Sequence, residues 1–158
     1  MSEPQVARMQ NAQALHVPEV KDLFTRAFAS SDLLPKYEDV AEDIERAVAS
    51  PLLGLFVGVE DAEFRGLLAI MLPGSKMDQM PHVLHFYTGR ADRHGASAPL
   101  RHAMMKAAVD FVLGNGYTTY RAVCPYVTPR KIAAWQRLFR KGGKSREIGR
   151  IMEFTVGS

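Results

Sequence analysis

The chain has 158 residues, 47% of them hydrophobic and 23% charged, and these values are those of an ordinary globular domain and exclude the disordered and fibrous classes. Its longest apolar stretch, near Leu52–Val59, is too short to span a membrane, and Met1–Asn11 lacks the basic start and the apolar stretch of a signal peptide. The net charge of +3 is unevenly distributed, because residues 1–89 carry a net charge of −6 and residues 90–158 a net charge of +9.

The first third of the chain predicts one short strand and two helices. Val6–Met9 is the strand candidate. A helix is predicted to begin at Pro18, since proline is tolerated in a first turn and apolar residues follow at helical spacing. Ser30–Pro35 breaks this helix, and Tyr37–Ala49 is a second amphipathic helix with an acidic outer face.

The period then changes to that of strands. Leu52–Val59 and Gly66–Leu72 are β-compatible runs on either side of the polar segment Glu60–Arg65, a pattern that predicts a hairpin. A loop over Pro73–Pro81 leads to a third strand, Val83–Thr88.

The remainder alternates helices and strands. Ala98–Leu113 is a strong helix candidate that ends at Gly114-Asn115-Gly116. It is followed by a buried strand at Thr118–Cys124, a helix at Pro129–Arg140 and a terminal strand or hairpin at Glu147–Val156. The order predicts an α/β (α+β) fold, in which residues 1–158 form one domain around a single sheet.

Cysteine usage and charge narrow the chemistry. The one cysteine, Cys124, cannot form an internal disulfide, and this fits a reducing cytoplasm. No Cys/His cluster has zinc spacing, so we expect no metal site. The shortness of the apolar stretches predicts that the chain has no membrane partner. The basic back half indicates an anionic ligand, for which coenzyme A, a nucleic acid and an acidic protein are the candidates. The alternative is that these basic residues only form a solvated face.

The junction between the third strand and the following helix is the most informative segment. It reads Arg93-His94-Gly95-Ala96-Ser97-Ala98. Small residues let a ligand approach the backbone, and a helix start offers unpaired amides with a partial positive charge. Arg93 adds a donor fork suited to phosphate. The alternative is an ordinary helix cap built from small residues.

The order of elements and this turn together resemble the GNAT superfamily of acyl-CoA N-acyltransferases over nearly the whole chain. In that family Arg/Gln-x-x-Gly-x-Gly/Ala follows a strand, and its amides bind the pyrophosphate of acyl-CoA. Arg93 and Ala98 match this motif, whereas Ala96 stands where the family has its first glycine. The resemblance implies a mixed, mostly antiparallel sheet that is splayed at the strand preceding the turn.

The same resemblance implies a co-substrate and the residues that bind it. Acetyl-CoA or another acyl-CoA would lie with its phosphates on Arg93, His94, Gly95, Ala96, Ser97 and Ala98. Its pantetheine arm would pair with the backbone of Phe86, Tyr87 and Thr88, opposite a second lip at Thr118–Cys124. Gly89 follows where a bend or bulge is expected.

Transfer of an acyl group from a thioester to an amine needs a neutral amine, a donor for the oxyanion and a proton for the thiolate. Family members often carry a general base on the splayed strand, and His85 is the candidate here. Strand alternation places His85 on the face of Val83 and Tyr87. The alternative is an ordinary half-buried sheet histidine.

The usual acid of the family is a tyrosine in the last long helix. Two alignments place Leu138 or Phe139 at its position, and neither residue has a hydroxyl group. Tyr126 is therefore the candidate acid, with water as the alternative. Cys124 is expected to be an inert core residue.

Eight basic residues between Arg130 and Arg150 exceed what the phosphates of coenzyme A require. They allow a second interpretation, in which a catalytically weak module of this fold binds or modifies nucleic acid through its basic C-terminal half. The main hypothesis is an N-acyltransferase that moves an acetyl or similar group to an amine on a small molecule or a protein. Homodimerisation is open.

Overall fold

A computed structural model describes residues 3–74, 80–89 and 95–140. Its elements are, in chain order, β1 (Gln5–Met9), a 3₁₀ helix (Ala12–His16), α1 (Pro18–Ala29), α2 (Tyr37–Ala47), β2 (Leu53–Glu60), β3 (Glu63–Met71), β4 (His82–Tyr87), α3 (Ala98–Gly114), β5 (Arg121–Ala122) and α4 (Pro129–Arg140). In the described part of the chain, every helix is too short or too polar to cross a membrane. The predicted strand at Glu147–Val156 lies outside the described residues.

The five strands form one sheet in the order β1-β2-β3-β4-β5. The first three pairings are antiparallel and the last, between β4 and β5, is parallel. The predicted mixed, mostly antiparallel sheet flanked by helices is therefore confirmed. The 3₁₀ helix was not predicted, because its five residues are too few to show a period.

Two hydrophobic clusters fill the two faces of the sheet. On one face, α1 and α2 pack through a set of buried residues that includes Leu23, Phe24 and Tyr37, together with Leu67 and Tyr87 of the sheet. On the opposite face, α3 and α4 pack against another buried set, centred on Leu68, Ile70, Phe86, Leu100, Met104 and Phe139. We call these the α1/α2 face and the α3/α4 face.

The hairpin between β2 and β3 is tighter than the sequence predicted. Both strands run into the polar segment, and only Asp61 and Ala62 form the turn, with φ angles of 52° and 62°. Two consecutive left-handed residues give the turn that best matches the twist of a hairpin. Glu60 consequently lies on β2 and Arg65 on β3, and neither is part of the turn.

One irregularity in β4 corrects the predicted face of Val83. His85 pairs with Ala69 while Val83 pairs with Ile70, so Leu84 is an extra residue between them. Such a bulge shifts the alternation of side chains. Val83 therefore joins Phe86 on the α3/α4 face, whereas His85 and Tyr87 lie on the α1/α2 face.

The predicted buried strand at Thr118–Cys124 is wrong in extent and in burial. Only Arg121 and Ala122 form a strand, and none of the residues from 118 to 124 is buried. The physical reason is that β5 pairs with β4 over two residue pairs, and the backbone beyond them has left the sheet.

The close approach of α3 to the sheet depends on two cross-strand glycines, Gly58 and Gly66. A Cβ atom on Gly66 would lie 2.1 Å from Sδ of Met104, and one on Gly58 would lie 2.9 Å from the same atom. Met104 is fully buried, so its side chain has little room to move aside. These glycines set the height at which α3, and the turn before it, lies over the sheet.

We expect Gly66→Ala to lower the free energy of unfolding by about 1–3 kcal/mol, because a methyl group there overpacks the Met104 contact. Urea denaturation checks this. Gly114→Ala is the matched control, since nothing lies within 4 Å of its Cβ position. Removing a helical glycine is expected to be neutral or stabilising by up to about 1 kcal/mol. Equal stabilities of the two variants would contradict the packing role of Gly66.

Candidate active site

The strands β4 and β5 part after two residue pairs. The last hydrogen bond between them runs from the Val123 amide to the Val83 carbonyl, at 3.3 Å. β4 continues to Tyr87 along β3, but the described residues provide no further β5 partner for it. The backbone groups of a strand point alternately to both sides, and beyond Val83 this edge of β4 has no strand partner among the described residues. The predicted splay is confirmed.

The chain bends sharply where β4 ends. Gly89 has a φ of 57°, which favours glycine. A Cβ atom there would lie 2.8 Å from Oη of Tyr87 and 3.1 Å from Cα of Gly95. The predicted bend at Gly89 is therefore present, and it brings the end of β4 against the start of the following turn.

Ala96 supports the turn from inside. Its amide donates to the Thr88 carbonyl at 2.6 Å, and its carbonyl accepts from Nη1 of Arg101 at 2.7 Å. Its methyl group is buried beneath α3 with Leu100. This explains the departure from glycine, because the methyl group points into the core. In this conformation the Ala96 amide is committed to the protein, in contrast to the role that the resemblance implied.

Ser97 begins α3 and is held by a glutamate. Its hydroxyl oxygen accepts from the Leu100 amide at 3.2 Å, which is a helix N-cap. The same hydroxyl donates to Oε2 of Glu60, and the Ser97 amide lies 3.4 Å from Oε1. Arg65 contacts Glu60 from the other side, at 3.4 Å. Glu60 is buried, and because this brace joins residues 37 positions apart, local patterns show only a polar residue near the hairpin.

Two amides of the turn remain for a ligand. The backbone amides of Gly95 and Ala98 donate to no acceptor within the described part of the chain. Arg101 adds a guanidinium group beside them through its bond to Ala96. Arg93 and His94, the other predicted phosphate contacts, lie outside the described residues. The turn thus offers an anion two amides at a helix start and at least one fixed positive charge.

The opposite side of the splayed strand is closed by a clasp between two loops. The Asp32 amide donates to the Pro125 carbonyl at 2.8 Å, and the Val127 amide donates to Oδ2 of Asp32 at 2.9 Å. The Ser31 hydroxyl group lies 3.5 Å from the same Pro125 carbonyl. We call these contacts between Ser31–Asp32 and Pro125–Val127 the Asp32 clasp. It fixes Tyr126 between its two anchored neighbours.

Tyr126 lies in a polar group on the α1/α2 face. Burial raises the pKa of Tyr126, and Cys124, Asp32 and Tyr87 raise it further, while a hydrogen bond from the Ser30 side chain lowers it. The Lys131 ammonium lies 5.7 Å from the ring centroid. The predicted acid therefore lies beside Tyr87, the last residue of the splayed strand.

His85, the predicted base, is buried beneath this group. Its Nε2 atom hydrogen-bonds to the Ala27 carbonyl at 2.8 Å, while Nδ1 is buried and has no partner among the described residues. Since a carbonyl only accepts, Nε2 carries the proton. Burial lowers the pKa of His85, and the bond to Ala27 opposes this in part. The ring is thus neutral, and its free nitrogen is shielded from solvent.

The last helix contributes packing to this region. The Phe139 ring lies 5.7 Å from that of Phe86 and 4.6 Å from that of Trp135, on the α3/α4 face. Trp135 and Phe139, four residues apart in α4, therefore share one packed face of that helix. Cys124 is partly exposed rather than in the core, and burial with the nearby Asp32 raises the pKa of its thiol above the ordinary value.

Sequence reasoning placed a break in the first helix at Ser30–Pro35, but it missed the contacts that this segment makes. The clasp joins residues 95 positions apart, and only the fold brings them together. Glu60 and Arg101 were also missed. For Arg101 a signal was available, since a basic residue in the first turn of a helix lies near any ligand bound at its start.

Several solved structures of other proteins have a fold similar to that of this chain. No family model matches the chain, and no curated protein matches it in sequence. An aminoglycoside N-acetyltransferase solved with CoA has a TM-score of 0.68 at 13% identity, over 99% of this chain and 96% of that one. A ribosomal-protein-alanine N-acetyltransferase from Brucella melitensis gives 0.65 at 11%, over 97% and 100%. A GNAT family acetyltransferase from Staphylococcus aureus gives 0.64 at 8%, over 97% and 100%.

At these identities the likeness establishes the fold, and the chain has the fold of the GNAT acetyltransferases. The resemblance read from the sequence is therefore confirmed at the level of architecture. The agreement extends over almost the whole of each chain.

The buried, neutral His85 makes stability depend on pH. The unfolded chain takes up a proton near pH 6.5, whereas the folded chain does so only at lower pH. The free energy of unfolding should therefore fall as the pH drops below about 6.5. In His85→Gln this fall should be smaller between pH 7 and pH 5, as measured by urea denaturation. His102→Asn, an exposed position on α3, should keep the slope of the parent chain. Identical slopes for all three proteins would refute the assignment.

Proposed function

We propose that the chain is an N-acyltransferase that moves an acetyl or similar acyl group from acyl-CoA to an amine. The observation that carries the proposal is the parting of β4 from β5 directly before the bend at Gly89 and the start of α3. The parted edge of β4 and the turn at the start of α3 follow one another in the order that a pantetheine arm and a pyrophosphate would need. The fold shared with acetyltransferases supports the same conclusion.

The residues present fit an acyl-CoA. The backbone of Phe86, Tyr87 and Thr88 would pair with the amides of the pantetheine arm, which replace the missing strand partner. The free amides of Gly95 and Ala98 would take phosphate oxygens at the helix start. Arg101 would add charge, and Arg93 and His94 complete the binding site that the sequence motif predicts. Ser97 and Ala96 would hold the shape of this turn.

The reaction would proceed by direct attack in a complex of both substrates. The lone pair of a neutral amine forms a bond to the thioester carbonyl carbon, the carbon–sulfur bond breaks, and the nitrogen gives up one proton while the thiolate gains one. Tyr126 would supply the proton to the sulfur. Positioning the amine against the thioester would provide much of the rate, so a strong base is not required.

The amine acceptor would bind on the α1/α2 face beside the Asp32 clasp. Asp32 is exposed, and among the described residues only one of its carboxyl oxygens has a partner, the Val127 amide. It lies near Tyr126 and Cys124, as its influence on both groups indicates. A carboxylate held there would attract a cationic amine. The structural neighbours act on aminoglycosides and on a ribosomal protein, and both classes carry amines.

The nucleic-acid interpretation stays a prediction. The basic segment that motivated it runs from Arg130 to Arg150, and the described chain ends at Arg140. Homodimerisation also stays a prediction. No observation in the described part of the chain favours either over the acyltransferase proposal.

Isothermal titration with acetyl-CoA tests the proposal directly, and absence of binding at millimolar ligand by the folded protein would overturn it. For Arg93→Ala we expect a higher apparent Michaelis constant for acyl-CoA with little loss of stability, because the predicted phosphate contact is removed. Lys106→Gln is a control on the outer face of α3, where Lys106 only pairs with Asp110. An unchanged constant in Arg93→Ala would reduce the turn to a helix cap.

The acceptor assignment predicts a separate effect for Asp32→Asn. The amide keeps an acceptor for Val127, but the negative charge is lost. We expect KM for a polycationic amine such as sisomicin to rise about tenfold, with kcat and the affinity for acetyl-CoA retained. Asp43→Asn, an exposed change on α2, controls for the general loss of negative charge. Equal KM values in the two variants would exclude Asp32 from acceptor binding.

A further inference from the structure

The start of α3 already holds an anion that belongs to the protein itself. The Ser97 hydroxyl group donates to Oε2 of Glu60, and the Ser97 amide lies 3.4 Å from Oε1 of the same carboxylate. Glu60 is the last residue of β2 and is buried. A helix start carries a partial positive charge that stabilises a nearby anion. Glu60 therefore uses two donors and part of the positive charge that the sequence motif assigns to phosphate.

The contact with Glu60 also determines what Ser97 can offer to a ligand. A hydroxyl group has a single hydrogen, and that of Ser97 is engaged with the carboxylate. The hydroxyl oxygen accepts from the Leu100 amide at 3.2 Å. Pro99, the next residue but one, has no amide hydrogen. While Glu60 holds it, Ser97 therefore has no donor for a phosphate, in contrast to the contact that the resemblance implied.

Arg65 offsets the charge of Glu60 only in part. Its Nη1 atom lies 3.4 Å from Oε1 of Glu60, and its Nη2 atom lies 3.1 Å from Oε2 of Glu63. One guanidinium group is thus shared by two carboxylates. Because Glu60 is buried, salt screens its charge less than it screens an exposed charge. A phosphate bound at the start of α3 would consequently experience repulsion from Glu60.

We propose that Glu60 limits the affinity of this turn for acyl-CoA, because its carboxylate shares the start of α3 with the phosphates of the ligand and withholds the Ser97 hydrogen from them. This inference rests on the proposed function. Two anions at one helix start repel each other, so the phosphates gain less there than at a helix start without an internal carboxylate. The same repulsion lets the CoA product leave more readily after the acyl group has been transferred.

The competing explanation is that Glu60 only braces the turn, and the two explanations predict opposite signs for Glu60→Gln. Glutamine has nearly the size of glutamate. Its oxygen can accept from the Ser97 amide while its nitrogen donates to the Ser97 hydroxyl oxygen, so the brace is kept. The negative charge is lost, however, and the Ser97 hydrogen is released. Damage to a brace loosens the turn and weakens binding, whereas removal of a competing anion strengthens binding.

Isothermal titration of the full chain with acetyl-CoA tests the inference in the parent and three variants. Glu60→Gln removes the charge and keeps the shape. Glu60→Asp keeps the charge and shortens the brace. Glu63→Gln is the matched control, because it removes a negative charge from the same hairpin and from the same guanidinium group, at a side chain that is 55% exposed. Thermal melts verify that each variant is folded.

We expect Kd for acetyl-CoA to fall about threefold to tenfold in Glu60→Gln, since a charge at a helix start and one released donor have effects of this order. Glu60→Asp should not tighten binding, and Glu63→Gln should stay within about twofold of the parent. An unchanged or higher Kd in Glu60→Gln, or equal tightening in either other variant, would overturn the inference. Absence of binding by all four folded proteins defeats the proposed function as well, whereas binding by the parent without tightening in Glu60→Gln defeats only the role of Glu60.

Discussion

The backbone of β4 is bonded along the whole of one edge and over only two residue pairs of the other, and the rest of the site depends on this asymmetry. A strand bonded on both edges would leave no groups for a ligand, and a strand free on both would not be held in place. The pairing of β3 with β4 continues as far as Tyr87, whereas the pairing of β5 with β4 ends at Ala122. The bulge at Leu84 lies just beyond the last shared pair, and there β4 shifts its side chains while it stays in the sheet.

The turn that follows is braced from the side away from β5. Thr88 and Ala96 close it, Ser97 caps the helix, and Glu60 holds Ser97 from the β2–β3 hairpin. Its height over the sheet is set by the two glycines beneath Met104. These internal bonds use the amides of Ala96 and Ser97, so the turn is shaped before any ligand arrives. Under the proposed function, affinity for the phosphates would then rest on fewer amides and more on arginine side chains than the family motif suggests.

Much of this could be predicted from the sequence, and the failures have physical reasons. Long periodic segments such as α1 and α3 were found, because a repeating apolar stripe records one buried face. The splay was inferred from order and resemblance. The extent of β5 was wrong because an apolar run does not reveal that its partner strand has parted. The face of Val83 was wrong because a bulge leaves no mark in the sequence. The Asp32 clasp and the Glu60 brace are contacts between distant segments, which local patterns do not encode.

The helix α4 contains no tyrosine, so the proposed function would place the acid on the other face of the sheet, at Tyr126. Phe139 lies against Phe86 in the α3/α4 core, so a hydroxyl group at that position would be buried among aromatic rings. Tyr126 instead reaches the α1/α2 face, where Ser30, Asp32 and Tyr87 surround it. Its position is then governed by the end of α1 and the loop that follows, the same segment that borders the acceptor. Under the proposed function, the acid Tyr126 and the acceptor contact Asp32 would lie on two loops that the Asp32 clasp joins, so a change in the loop after α1 that admits a new amine would also move Tyr126.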